Sequence, residues 1–179
     1  MILTLIGYRG SGKSTIAPLL SQALGWEWLD ADVVLEARAG RSIREIFADS
    51  GEAEFRRLER QGICEHLQRS QLVLATGGGA ILNPDTRREM RAAGPVVWLK
   101  ADAETLHTRI TADHTTAERR PQLTATGGAA EISHLLAVRE PLYRETASIV
   151  IETRGLTAAQ IAAEILSRLP ADFSQAEPG

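Results

Sequence analysis

The chain has 179 residues, 44% of them apolar and 24% charged, which suits one compact domain with an ordinary core and makes a second independent domain unexpected. A net charge of −3, with acids and bases interspersed, gives no electrostatic footprint for nucleic acid or an anionic membrane, so the expected partners are small molecules. Cys64 is the only cysteine, which excludes an intrachain disulfide and a cysteine-based zinc site; the residue is expected to be buried in a helix. The N-terminal apolar run is too short for a signal peptide or a membrane span, and the protein is expected to be cytoplasmic.

Along the chain, short apolar runs alternate with longer amphipathic stretches, the pattern of βα units around a parallel sheet. Ile2–Ile6 reads as the first strand, followed by a glycine-rich turn and a helix over Lys13–Leu24. A strand at Glu27–Leu29 precedes two helical patterns, Ser42–Phe47 and Glu52–Arg69. The strands Leu72–Ala75 and Val96–Leu99 follow, each leading to a helix, Asp85–Ala93 and Ala103–Ile110. A helix over Glu131–Tyr143, a strand at Ile149–Ile151 and a helix over Thr157–Leu169 complete the pattern. The expectation is a three-layer α/β/α domain over residues 1–169, with a central five-stranded parallel sheet. Ligands in such open sheets bind beyond the carboxyl ends of the strands. Residues 111–128 have few large apolar side chains, two adjacent arginines before Pro121 and a Gly-Gly pair, a composition that suits a mobile lid and a disordered insertion alike. Residues 170–179 read as a flexible tail.

Gly7-Tyr8-Arg9-Gly10-Ser11-Gly12-Lys13-Ser14 fits the G-x-x-x-x-G-K-[ST] phosphate loop, directly after an apolar strand and directly before a helix. Its glycines let successive backbone N–H groups turn onto phosphate oxygens, and the following helix adds the positive end of its dipole. Lys13 is expected to bridge the β- and γ-phosphates, and the Ser14 hydroxyl to ligate Mg²⁺. Of 20 basic side chains only Lys13 and Lys100 are lysines, which makes a lysine inside the loop harder to read as an ordinary surface charge. A guanine-reading N-K-x-D is absent, because the single asparagine, Asn83, has no lysine after it. An aspartate at the end of the third strand is also absent: Thr76 and then Gly77-Gly78-Gly79 follow Ala75. The metal carboxylate must come from elsewhere, and Asp30 and Asp32 lie just past the second strand.

These residues, with the run Ile46–Glu59 (I-F-x-x-x-G-E-x-x-F-R-x-x-E), the glycine triplet, Arg120-Pro121 and Arg139-Glu140-Pro141-Leu142-Tyr143, make the chain similar to the shikimate kinase family over nearly its whole length. The resemblance implies a P-loop kinase that phosphorylates the 3-hydroxyl of shikimate with ATP and Mg²⁺ in the pathway to aromatic amino acids, acting as a monomer. It implies that Arg56 and Arg139 hold the substrate carboxylate, that Asp32 binds the hydroxyls and serves as base, and that Gly77, Gly78 and Gly79 admit the ring. Gly10, Ser11, Gly12, Lys13, Ser14 and Thr15 then bind ATP, Asp30 orients Mg²⁺ through water, Glu59 orients Arg56, Arg109 and Arg154 flank the adenine, and Arg120 closes over the γ-phosphate. Gln122, where the family usually carries leucine, departs from the lid pattern, and Arg119 stands beside Arg120.

Structural readings stand beside these. The helix around Arg56 is charged enough to be a solvated face laced with ion pairs. Asp30-Ala31-Asp32 suits a strand-end turn that caps a helix, and Arg139 has Glu140 and Glu145 near it in sequence. His66, His107, His114 and His134 form no metal spacing and are expected on helix or lid surfaces. The competing functions are a kinase for another small metabolite, such as gluconate or a nucleoside monophosphate, and a catalytically silent nucleotide-binding regulator.

Overall fold

The computed structural model describes residues 1–112 and 128–173. Strands β1 (Ile2–Ile6), β2 (Glu27–Asp30), β3 (Leu72–Ala75), β4 (Val96–Lys100) and β5 (Ile149–Glu152) form a five-stranded parallel sheet in the order β2-β3-β1-β4-β5. The helices are α1 (Lys13–Leu24), α2 (Ala31–Ala39), α3 (Ile43–His66), α4 (Pro84–Ala93), α5 (Ala103–Ala112), α6 (Gly128–Thr146) and α7 (Ala158–Arg168), with short 3₁₀ turns at Ala80–Leu82 and Ala171–Phe173. The expected three-layer α/β/α arrangement is present.

Strand pleating explains the layers. Successive side chains point to opposite faces of a sheet, so Leu3, Leu5, Val73 and Val97 pack against α1 and α7 through Ile16, Leu20, Ile161 and Ile165. Their neighbours Ile2, Ile6, Leu74 and Trp98 face the other layer, against Ile63 of α3, Met90 of α4 and Tyr143 of α6. Both faces being covered, the strands read as unbroken apolar runs rather than alternating ones, which is why they are legible from composition alone. Burial of each large side chain contributes about 1.5–3 kcal/mol.

The structure differs from the sequence expectations at definite places. Helix α2 carries only Ala31 and Leu35 as buried residues, too sparse a stripe to stand out. It forms because Asp30 caps it, accepting the Asp32 N–H at 3.0 Å, and because Gly40 ends it in the left-handed region at φ 65°. The run Ile43–His66 is two helices meeting at Gly51, where φ is 78°, as the two helical patterns between Ser42 and Arg69 led one to expect. A capping box between Ser42 and Glu45 starts it. Phe173 packs on Trp26 with ring centroids 5.0 Å apart and planes tilted by 49°, so residues expected in the tail are anchored as far as 173. Residues 113–127, which include His114, Arg119 and Arg120, and residues 174–179 lie outside the described residues. Among the described residues no helix is long and apolar enough to cross a membrane.

Cys64 lies on a helix as expected, but its burial and that of His66 differ from expectation. Cys64 is half-buried, and its thiol donates to Glu89 at 2.9 Å; burial and that bond push its pKa up to about 11, leaving it a poor nucleophile near neutrality. His66 is 5% exposed, not on the surface, and its Nε2 has no hydrogen-bond partner among the described residues. Burial, with Arg38 and Arg69 nearby, lowers its pKa below the ordinary 6.5. Above that value the folded and unfolded chains both carry neutral His66. As the pH falls through it, the unfolded chain takes up the proton first, and stability is lost. The melting temperature is therefore expected to drop between about pH 7 and about pH 5, and His66→Phe to flatten that slope; an identical slope in the variant would remove His66 as its source.

Candidate active site

The loop after β1 is shaped by its glycines. Gly7 has φ 149°, and a Cβ there would meet the Leu99 carbonyl and the Ser11 hydroxyl at 2.7 Å each. Gly10, at φ 79°, lies against the Ile110 side chain. Lys13 folds back over the loop, its ammonium donating to the carbonyls of Gly7 at 2.8 Å and Tyr8 at 3.0 Å and to Ser11 Oγ at 3.3 Å. Tyr8 points the other way and is buried with Leu106, Ile110 and Ile132 between α5 and α6. Burial raises the pKa of its phenol, partly opposed by Arg139 and Arg9. The loop is thus anchored below while Lys13 and the N-terminus of α1 face the cleft.

Asp30 joins this loop to β2. One carboxylate oxygen caps α2; the other accepts the Ser14 hydroxyl at 2.5 Å. The cap expected of Asp30 is present, and the same carboxylate also reaches the phosphate loop through Ser14. Ser14 and Asp30 together present hard oxygen donors beside the phosphate loop, a set that fits Mg²⁺, which takes few protein ligands and completes its shell with phosphate and water. Among the described residues no cluster of three His, Cys, Asp or Glu could hold a metal by itself. Asp32 lines the same cleft as Lys13, Ser14 and Asp30. Arg9, Glu36 and Thr76 line it as well and were not singled out from sequence; of these, only Thr76, in the place of a strand-end aspartate, had a legible signal.

The glycine triplet after β3 adjoins the loop. Gly78 is so close to it that a Cβ would stand 3.3 Å from the Arg9 nitrogen and 3.5 Å from the Gly7 carbonyl. A Cβ on Gly79 would overlap the guanidinium of Arg56. That guanidinium donates to Glu59 at 2.7 Å and to Glu52 at 3.1 Å. Burial works against charging Arg56, but Glu59 and Glu52 outweigh it and hold its pKa above the ordinary arginine value. Only 25% of its side chain is exposed, so it is not part of a solvated face, whereas Arg57, paired with Glu54 and 60% exposed, is. Arg139, buried on α6, stands over the Tyr8 ring at 5.8 Å. The acids beside it in sequence are engaged elsewhere: Glu140 with Arg144 and Glu145 with Arg87.

A further cleft opens along Gly10–Ile16 and is bounded by Arg109, Leu156 and Ile161. Arg109 is fixed by two bonds to Thr153, to Oγ1 at 3.1 Å and to the carbonyl at 3.2 Å. Arg154 does not line this cleft; it is 77% exposed and pairs with Asp102 at 3.6 Å. Leu156, two residues on, lines the cleft opposite the phosphate loop, whereas Arg154, which the resemblance had placed there, does not.

The sequence profile described as shikimate kinase matches residues 9–170. A shikimate kinase from Rhodopirellula baltica is 42% identical over 98% of this chain and 94% of its own length. The structure of the Acinetobacter baumannii shikimate kinase in complex with shikimate superimposes with a TM-score of 0.87 at 37% identity, covering 93% of this chain and 90% of that one. A gluconokinase from Sinorhizobium meliloti, 17% identical over 92% of this chain and 89% of its own, has a TM-score of 0.57 and shares the fold alone. With a phosphate loop, a glycine triplet against it and a carboxylate-held arginine behind the triplet, the chain belongs to the shikimate kinase family.

Proposed function

We propose that this enzyme transfers the γ-phosphoryl group of ATP to the 3-hydroxyl of shikimate, giving shikimate 3-phosphate and ADP. One observation carries the reading furthest: Arg56 lies against Gly79, and Gly78 lies against the backbone of Arg9 and Tyr8. An anion-binding guanidinium and a phosphate-cradling loop share one wall, as a kinase for a small carboxylate requires.

In this reading Arg56 and Arg139 hold the shikimate carboxylate. Asp32 accepts a hydrogen bond from the 3-hydroxyl and takes its proton as the new oxygen–phosphorus bond forms and the bond from the γ-phosphorus to the ADP oxygen breaks. Lys13 exchanges its bonds to the Gly7 and Tyr8 carbonyls for phosphate oxygens, and the N–H groups of residues 10–15 complete the cradle. Ser14 and Asp30 would hold Mg²⁺, Asp30 through water; when bound, the ion neutralises phosphate charge. Arg109 and Leu156 face the adenine, in preference to Arg154. Arg120 is assigned to the γ-phosphate on its motif alone. A single half-buried thiol and the small-molecule substrates support a cytoplasmic enzyme, and the family expectation of a monomer is checked by sedimentation.

A coupled ADP-release assay across shikimate, quinate, gluconate and nucleoside monophosphates is expected to respond to shikimate; turnover with gluconate and not shikimate would overturn the assignment. Lys13→Met is expected to lower kcat by about a hundredfold or more, the scale of losing a preorganised charge donor at a developing anion; near-normal turnover would take the loop out of the chemistry. Gly79→Ala is permitted by its backbone, φ −102°, yet pushes Arg56 off its place. It is expected to raise the KM for shikimate about tenfold while the KM for ATP stays within about twofold. An unchanged acceptor KM would separate Arg56 from substrate binding.

A further inference from the structure

We infer that Tyr143 is a positioning residue for the acceptor: it orients the Gly78–Gly79 peptide so that the Gly79 N–H faces the acceptor cleft. The inference rests on the acceptor site proposed above and assigns a role to a motif residue that the reaction has so far not used. Tyr143 lies on α6 one helical turn beyond Arg139, so the two side chains leave the same face of that helix. It is 1% exposed, and its ring stacks on Trp98 of β4 with centroids 5.5 Å and planes 14° apart. A ring so enclosed has little rotational freedom. From its tip the hydroxyl donates to the Gly78 carbonyl at 2.7 Å.

The rest follows from peptide planarity. No cis peptide is present, so the Gly78 C=O and the Gly79 N–H point in opposite directions across one rigid plane. A hydroxyl that holds the carbonyl toward the β4–α6 side turns the Gly79 N–H away from it, toward the cleft that Gly79 lines with Arg56 and Glu59. The triplet runs close beside the phosphate loop, where even a Cβ on Gly78 would stand 3.3 Å from the Arg9 nitrogen. Three successive glycines have wide backbone freedom, and an external bond is needed to select one orientation. An N–H beside a guanidinium suits a ring bearing hydroxyl and carboxylate oxygens, all of which accept hydrogen bonds. Helix α6 therefore contributes twice to the acceptor, directly through Arg139 and indirectly through Tyr143.

Tyr143→Phe removes the hydroxyl and keeps the ring. Turnover of shikimate by the unaltered enzyme is measured first; its absence would overturn the assigned reaction and with it the role of Tyr143. Given that turnover, Tyr143→Phe is expected to raise the KM for shikimate about tenfold, the scale of one buried hydrogen bond, with the KM for ATP within about twofold. In protein with isotope-labelled glycine, the Gly79 amide resonance is expected to shift on adding shikimate to the wild type and to shift little in the variant at the same concentration. A merely structural role would lower the active fraction without selecting between the substrates. An unchanged KM for shikimate, an equal rise in both KM values, or an undiminished amide shift would overturn the inference while leaving the reaction standing. If Tyr143→Phe does not fold, Trp98→Phe, which loosens the stack and keeps the hydroxyl, is read in the same way: a selective rise of about twofold to threefold supports the role, and no selectivity overturns it.

Discussion

At the carboxyl end of β3, Thr76 donates both its backbone N–H and its hydroxyl to the Leu5 carbonyl, at 3.1 Å each, and the geometry of the site depends on that joint. It extends the parallel pairing of β1 and β3, in which Leu5 stands opposite Ala75, one residue beyond the strands themselves. On the other side of β3, Asp30 stands opposite the same Ala75. Three strand ends therefore finish at one level, and the phosphate loop, the glycine triplet and the Asp30 carboxylate emerge side by side. An aspartate in place of Thr76 would put a buried carboxylate against the Leu5 carbonyl. In this chain the carboxylate at that level is Asp30 of β2, and the space after β3 is left to residues without side chains.

The cations of the site take their partners from the fold, each in a different way. Lys13 bonds to carbonyls of its own loop, Arg56 to Glu59 and Glu52, and Arg139 stacks on Tyr8. The Glu59 side chain is 4% exposed, and a buried pair of this kind offsets its desolvation only when geometry is tight and further hydrogen bonds are made. What such pairing contributes is position: a charge already withdrawn from water and aimed at one place reorganises little when a substrate anion arrives. Tyr8 adds a link across the site. Its backbone carbonyl accepts from Lys13 while its ring lies under Arg139, so one loop residue touches two of these cations.

Much of this was legible in the amino-acid sequence because it rests on local requirements. The phosphate loop needs glycines, a lysine and a hydroxyl at fixed spacing between a strand and a helix, and no tertiary contact changes that need. The five strands were legible because a sheet covered on both faces leaves unbroken apolar runs. The absence of an acid after β3 was equally plain, and it directed attention past that strand to Asp30, which the fold places against Ser14 of the loop. Helix α2 was not legible: it is held by a cap and by a few contacts to α3 rather than by a dense apolar stripe.

What only the tertiary structure decided are pairings between distant segments. Nothing local in Arg56 distinguishes it from Arg57 on the same charged helix; Gly79, far along the chain, selects the first and leaves the second in solvent. The choice of Leu156 over Arg154 beside Arg109 depends on how the turn after β5 leaves the sheet. His66 and Tyr143 read as a helix-surface residue and as a motif member of unstated purpose, and packing made one a buried base and the other a strut beneath the triplet. Sequence by itself determined the chemistry that local spacing enforces, a phosphate loop on a parallel sheet. The partner of each functional side chain was set by the third dimension, because burial and hydrogen bonding depend on which segments meet.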